Sequence, residues 1–445
     1  MPRRQLVLLV GWAFALACCP EFAAAQTEPI LPAPSPPVAP NVPATDSQPL
    51  GRGESILGRA RPEYDALGVR IGDYFLYPRI EASEAYNDNL FAANSGTVHD
   101  FITAVTPAFD LKSNFGANSL DFSASTTISR YARNTSFDNE DAFGAATGVL
   151  DLGVAENLHG NLKVAKQHED PGSPNVPGAI AEPVKYMTYS GAAGYENSRT
   201  RIGYSADLTA VRQEFEAVPI IGGGLLPQSD QNNFTYTATA EGNYEFAAKY
   251  RGFVRGGLDY RDYDHAALGA PIRTSHGFRV DGGVRIDLTG LLFAEAFAGY
   301  LQEDYQAASL GTVSGGDVGA TVAWNVSQVT SLSFRASRSI ETASASVVGT
   351  GPAPAYVESI ASVNFDHELY RNLLLNGHAA YTNDDFSGID RSDNDYLAGA
   401  GVKLLLDRRL YLGASYDFEH RDSSGGQAIN PFSRNIIMLR ISTQL

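Results

Sequence analysis

The chain has 445 residues, 33 Lys and Arg against 50 Asp and Glu, and a formal charge of −17. It therefore lacks the basic face a nucleic-acid binder needs, and no nucleic acid is expected as a partner. Its 2 cysteines, Cys18 and Cys19, sit at the extreme N-terminus, which rules out a disulfide framework or a thiolate metal site downstream.

Arg3 and Arg4, the apolar run over 6–17, and Ala23-Ala24-Ala25 before Gln26 read as a secretory signal peptide spanning 1–25. The rival reading is a lipoprotein signal with lipid on Cys18 or Cys19, although Ala15 stands where a larger aliphatic residue is usual. Residues 26–72 read as a Pro-rich, disordered periplasmic linker, with 8 of the 23 prolines between Pro29 and Pro49. Such a stretch is extended and partly polyproline II. It serves as a spacer or as a tether to a periplasmic partner or the cell wall.

From residue 74 to the end the side-chain pattern has period two. Val254, Gly256, Leu258 and Tyr260 alternate with Arg255, Gly257, Asp259 and Arg261, and Leu410 to Glu419 alternate in the same way. That is the signature of strands with one apolar and one polar face. Eighteen such segments run from 74–87 to 433–445, among them 142–156, 158–169 and 316–326. Each is about 11–17 residues long, beyond the strands of ordinary sheets and enough to cross a bilayer when tilted.

Short turns at 114–118, 157, 198, 289–290, 327–328 and 408–409 alternate with long loops at 171–183, 216–231, 265–273, 343–354 and 423–432. The expected fold class is therefore all-β: a transmembrane, antiparallel, up-and-down β-barrel over 73–445, with about 18 strands, short periplasmic turns and long extracellular loops. An even strand count places both termini in the periplasm of a Gram-negative bacterium, with the barrel in its outer membrane. Pro78 and Pro107 fall inside strands, and each should mark a bulge or strand end. Ile437, Leu439, Ile441, Thr443 and Leu445 share one parity, which suits a terminal strand recognised by the barrel-assembly machinery.

Eighteen strands enclose a lumen wide enough for water. The polar parity supplies the candidate lumen-lining residues Arg201, Arg255, Asp259, Arg261, Arg279, Asp281, Arg285, Glu295, Arg335, Glu358, Asp417, Glu419 and Arg440. They either pair in ladders that solvate the wall or form a constriction that selects solutes. The acidic excess leans towards cations or neutral sugars. The loop 216–231 is apolar enough to fold inward as a constriction. On the apolar parity, near the upper ends of ascending strands, lie Arg130, Lys166, Arg212 and Arg338. Charge is tolerated there at the interface, so they are expected to contact lipopolysaccharide phosphates, unless a bulge turns them inward. Tyr131, Tyr260, Tyr263, Tyr300, Tyr305 and Tyr416 gather at the same height, and those on the apolar parity suit an interfacial girdle.

No catalytic, cofactor-binding or metal site is expected. The 8 histidines show no ligand spacing, and there is no GxSxG motif or phosphate-cradling loop. Asp264-His265 is a single adjacent pair at the rim.

Residues 61–91 carry a resemblance. Pro62-Glu63-Tyr64-Asp65, Gly68 to Gly72, Phe75-Leu76-Tyr77-Pro78 and, above all, Tyr86, Asn87, Asp88, Asn89, Leu90 and Phe91 resemble the putative β-barrel porin family of type 2. Asn-Asp-Asn tolerates left-handed turn geometry and ends the first strand. The family is common in alphaproteobacteria and is often found with exopolysaccharide export genes. The resemblance implies an outer-membrane component of exopolysaccharide secretion, working with a periplasmic export complex. Two other readings need the barrel alone: a general or substrate-specific diffusion porin, and a surface-structural or adhesion barrel.

Overall fold

The computed structural model describes residues 55–173, 180–198, 200–288, 290–343 and 355–445. The segment expected to be a signal peptide, both cysteines and the Pro-rich run lie outside the described residues. Eighteen long strands form the wall, and we name them β1 to β18 in chain order. They are Tyr74–Asn87, Asp100–Ser113, Ser119–Tyr131, Asn139–Gly153, Glu156–His168 and Lys185–Asn197 (β1–β6), then Ile202–Phe215, Asn233–Ala247, Tyr250–Tyr263, Ser275–Leu288, Leu292–Tyr305 and Thr312–Ser327 (β7–β12). Thr330–Thr342, Ala355–Tyr370, Leu373–Phe386, Ser392–Leu405, Leu410–Ser424 and Phe432–Gln444 complete the set as β13–β18.

Every consecutive pair is antiparallel, and β1 closes the ring on β18 from Arg79↔Gln444 to Asn87↔Ile436. Closure leaves no unpaired edge, which a sheet in hydrocarbon requires. The wall is inside-out relative to a water-soluble sandwich. Leu208, Val254, Leu258 and Leu439 on the outer parity are 61–65% exposed, whereas Asp281, Asp317 and Asp393 on the inner parity are 0–2% exposed. Apolar side chains face outward because hydrocarbon, not protein, is their solvent.

Three details differ from the sequence reading. The β4–β5 turn falls at Val154-Ala155 rather than at Asn157, because Gly153 and Ala155 both take positive φ (139° and 56°). β12 begins at Thr312, several residues earlier than expected. Neither strand proline makes a bulge. The β2–β3 ladder skips from Val105↔Ile128 to Ala108↔Ser125 without changing register, because Pro107 has no N–H to donate. Pro78 sits where β1 runs past the end of β18, and its carbonyl accepts from Leu445 N at 3.2 Å.

The disordered linker expected over 26–72 is not what residues 55–72 form. From Ser55 the chain is bound to the barrel. It lies along the inner rim at the short-turn end and then doubles back through Val69–Ile71, which pairs with Tyr74–Leu76. Gly72 (φ 60°) makes that turn.

Candidate functional site: the lumen and its two mouths

The inner wall on β8–β12 is a cross-strand ladder of charges. Glu241, Arg255 and Asp281 stand in register. Arg255 Nη2 lies 2.9 Å from Asp281 and Arg255 Nη1 3.8 Å from Glu295. Arg285 bonds Glu295 at 2.6 Å and also Glu241, and Arg279 approaches Asp317 at 3.6 Å. Aromatic rings hold the guanidinium groups in place: Arg285 over Phe253 at 4.4 Å, and Arg255 over Phe297 at 4.8 Å. Arg335 shares this parity through its pairing with Thr321.

On β14–β18 His378 meets Asp417 at 3.1 Å, Arg434 meets Glu419, and Arg440 lies 3.9 Å from Glu81. Asp259 is on the inner face beside Gly277. Glu358 stands directly opposite Asp384, and both carboxylates are buried. Arg201 departs from the expected set. β7 begins only at Ile202, so Arg201 is exposed in the short turn and does not line the wall.

The long-loop mouth is crossed by contacts that the sequence does not reveal. Asp170, two residues past β5, accepts from Arg434 on β18 at 2.9 Å, and the Gly172 carbonyl accepts from Arg421 on β17. In a circular barrel of this size, with strands about 4.8 Å apart and tilted about 40°, β5 and β18 would lie about 27 Å apart. Two extended residues and two side chains reach about 17 Å. The wall therefore curls inward here, around a packed cluster of Ala85, Leu90, Ile102, Tyr131, Phe137, Ile436 and Met438. On the far side Arg261 of β9 reaches Thr342 of β13, and Arg273 joins two further loops through the carbonyls of Asp230 and Ala343.

The loop 216–231 forms a small hairpin, Val218–Pro219 with Leu225–Leu226. Val218 and Leu226 pack with Ile180, Val184, Tyr186 and Phe215, while Ile221 and Leu225 stay exposed. The loop that ties across the mouth is thus the one after β5. Inner-face parity marks Arg421 and Arg434 within the predicted strands, whereas nothing in the local sequence marks Asp170 or Arg273.

The short-turn mouth carries the strap formed by residues 55–71. Ile56 is fully buried, and its N–H donates to Ser331 Oγ of β13 at 2.8 Å. Arg61 donates to Glu368 of β14 at 2.8 Å, with both side chains buried. Tyr64 packs on Leu374, Leu405 and Tyr411, from β15, β16 and β17. Arg408 Nε donates to the Pro62 carbonyl at 2.8 Å, and Gln444 to the Tyr64 carbonyl at 3.3 Å. One segment thus spans the inner rim from β13 round to β1.

Outside, Arg130, Lys166, Arg212 and Arg338 all lie on the outward parity, paired with Thr103, Met187, Tyr189 and Ser359. Their environments differ. Arg130 is paired with Asp138 at 3.7 Å and with Glu140. Arg212 grips Asp264 at 2.8 and 2.6 Å and lies over Phe234. This hydrogen-bonded contact holds the Asp264 carboxyl below the usual carboxylate range and occupies the acid that adjoins His265. Tyr260, Tyr300 and Tyr416 face outward, while Tyr131, Tyr263 and Tyr305 are buried. In the family-like motif, Asn89 is a buried hub. Its amide donates to the Ala93 and Ser433 carbonyls at 2.8 and 2.9 Å and its Oδ1 accepts from Ala93 N. Asp88 accepts from Asn435, tying the end of β1 to β18. The Tyr86 ring packs at a tilt against Phe101, with centroids 5.1 Å apart, and Leu90 is core.

Among solved structures the chain is similar to Pseudomonas aeruginosa OpdK, crystallised with vanillate (12% identity, TM-score 0.42, covering 83% of this chain and 98% of that one). It is also similar to Pseudomonas aeruginosa OpdL (9%, TM-score 0.41, 84% and 99%) and to a mutant of the Pseudomonas aeruginosa ferric enterobactin receptor PfeA (7%, TM-score 0.44, 83% and 80%). No curated protein matches it. The family model for putative beta-barrel porin 2 matches residues 61–445, from the strap to the last strand, and the chain belongs to that family of porin-like outer-membrane barrels.

Proposed function

We propose that the barrel is a conduit for exopolysaccharide across the outer membrane of a Gram-negative bacterium, with the short turns, the strap and both termini in the periplasm. The supporting observation is the character of the inner wall. On β8–β12 it carries charges of both signs that are mutually bonded. Such a wall offers hydrogen-bonding groups with little net field, which suits a hydrated sugar chain that must slide without being held. The strap is fastened to the β13–β14 rim, and a periplasmic export complex is the partner this reading requires on that side.

Deleting the gene and measuring secreted polysaccharide tests this reading, and unchanged secretion would reject it. The contacts across the long-loop mouth favour a second reading, a surface barrel that conducts little. Single-channel recordings in planar bilayers separate the two from each other and from a freely open diffusion porin.

A further inference from the structure

On β9 and β10, Arg255, Arg279 and Arg285 each lie against a carboxylate. The inner wall differs near the short-turn mouth, where β16, β17, β18 and β1 run side by side. One row of the ladder reads Lys403, Gly413, Arg440 and Ser83. Arg79 shares that face of β1 and stands nearer the mouth, opposite Gln444. The glycine brings two of these cations together. A Cβ on Gly413 would fall 2.6 Å from Arg440 Cγ, so Arg440 leans over the residue that separates it from Lys403.

Little acid is set against them. The charges that act most strongly on Lys403 are Arg79, Glu81, Arg61 and Arg440, three cations to one carboxylate. Arg440 reaches Glu81 only at 3.9 Å, and Glu81 also accepts from the Tyr411 hydroxyl at 3.5 Å. Lys403 Nζ rests over the Tyr411 ring, 4.1 Å from its centroid, and pairs with no carboxylate among the described residues. The strap's Asp65 is the next acid, and it accepts from the Arg61 N–H. Asp110 on β2 feels Lys112 more strongly than Arg79. Arg79, Glu81, Lys403 and Arg440 are half-buried on the inner parity, within reach of a solute in the lumen. Like charges gathered in this way destabilise a wall, and a bound anion offsets their repulsion.

We propose that Arg79, Lys403 and Arg440 bind the carboxylate of an acidic sugar residue, at a site just inside the strap. The resident carboxylate of Glu81, between Arg440 and Tyr411, shows the kind of group the cluster takes. A second carboxylate would bring the three cations close to neutrality, and guanidinium groups bind it through paired N–H donors. The site runs against the chain's overall charge of −17, because its field is set by the nearest groups while distant charges are screened. The inference rests on the reading of the barrel as a sugar conduit, and it narrows the cargo to a polymer that carries uronate-type residues.

The test uses the full-length barrel in mild detergent at pH 7, titrated calorimetrically with a linear tetramer of glucuronic acid or of glucose. The acidic tetramer should bind about tenfold or more tightly than the neutral one, and added salt should weaken it. Arg79→Gln, Lys403→Gln and Arg440→Gln should each weaken it about tenfold, the worth of a hydrogen bond to a charged group. Glu81→Gln should tighten it, because the competing carboxylate is gone. A merely structural role for these residues predicts no such gain. Heat-modifiable migration confirms that each variant is folded. No binding, equal affinity for the two tetramers, no loss in any of the three cation variants, or weaker binding by Glu81→Gln would overturn the proposal. Secretion unchanged by gene deletion would reject the conduit without touching the binding result. Absence of binding would reject the site and leave export of a neutral polymer standing, so the two readings fail separately.

Discussion

Arg61 and Glu368 are 307 positions apart in sequence and 2.8 Å apart in space. The pair fastens the strap to the inner rim of β14, and both side chains are nearly sealed from water. Removing one partner of such a pair costs about 3–5 kcal/mol, because the other charge is left buried and uncompensated. Glu368→Ala should therefore release residues 55–68 while leaving the wall intact. Trypsin cleavage after Arg59, read by mass spectrometry, should rise about 100-fold relative to wild type.

The opposite mouth gives a parallel expectation. Asp170 holds the loop after β5 against Arg434, and Arg434 keeps Glu419 as a second partner. Asp170→Ala then costs about 1.5–3 kcal/mol, the value of a hydrogen bond to a charged group, and no cation is orphaned. The folded barrel should survive, with larger single-channel conductance and faster cleavage within 170–183.

Glu169 makes the same loop sensitive to pH. Burial pushes its carboxyl up to about 7, and its Oε2 has no hydrogen-bond partner. The folded state therefore prefers the protonated acid. No penalty exists below about pH 4.5, it grows between about 4.5 and 7, and it is complete above 7, at about 3 kcal/mol. Loop protection measured by hydrogen exchange should fall as pH rises from 5 to 8, and Glu169→Gln should abolish that dependence.

Glu358 and Asp384 stand directly opposite one another on the inner wall, and like charges in that position are destabilising. Glu358→Gln should raise barrel stability in urea by about 0.2–1 kcal/mol.

The alternation of Val254 to Tyr260, or of Leu410 to Glu419, was enough to assign each side chain a face, because a strand has only two faces and hydrocarbon accepts only one kind of residue. Strand number, closure and the alternation of short turns with long loops followed from the same regularity. Parity also placed Arg255, Asp281, Arg285 and Glu295 on the inner wall and Arg338 on the outer one. It misplaced Arg201, because a strand boundary is set by turn geometry, to which alternation is blind.

Partnership was decided only by the closed, bent barrel. Arg255 with Asp281, Asp170 with Arg434, and Arg61 with Glu368 are joined by register and wall curvature, which depend on how eighteen strands settle together. The strap shows this most clearly. Residues 55–71 carry no periodicity of their own, and their order comes from a rim of side chains contributed by strands hundreds of positions downstream. Local pattern determines which way a residue points, while the tertiary structure determines what it meets there.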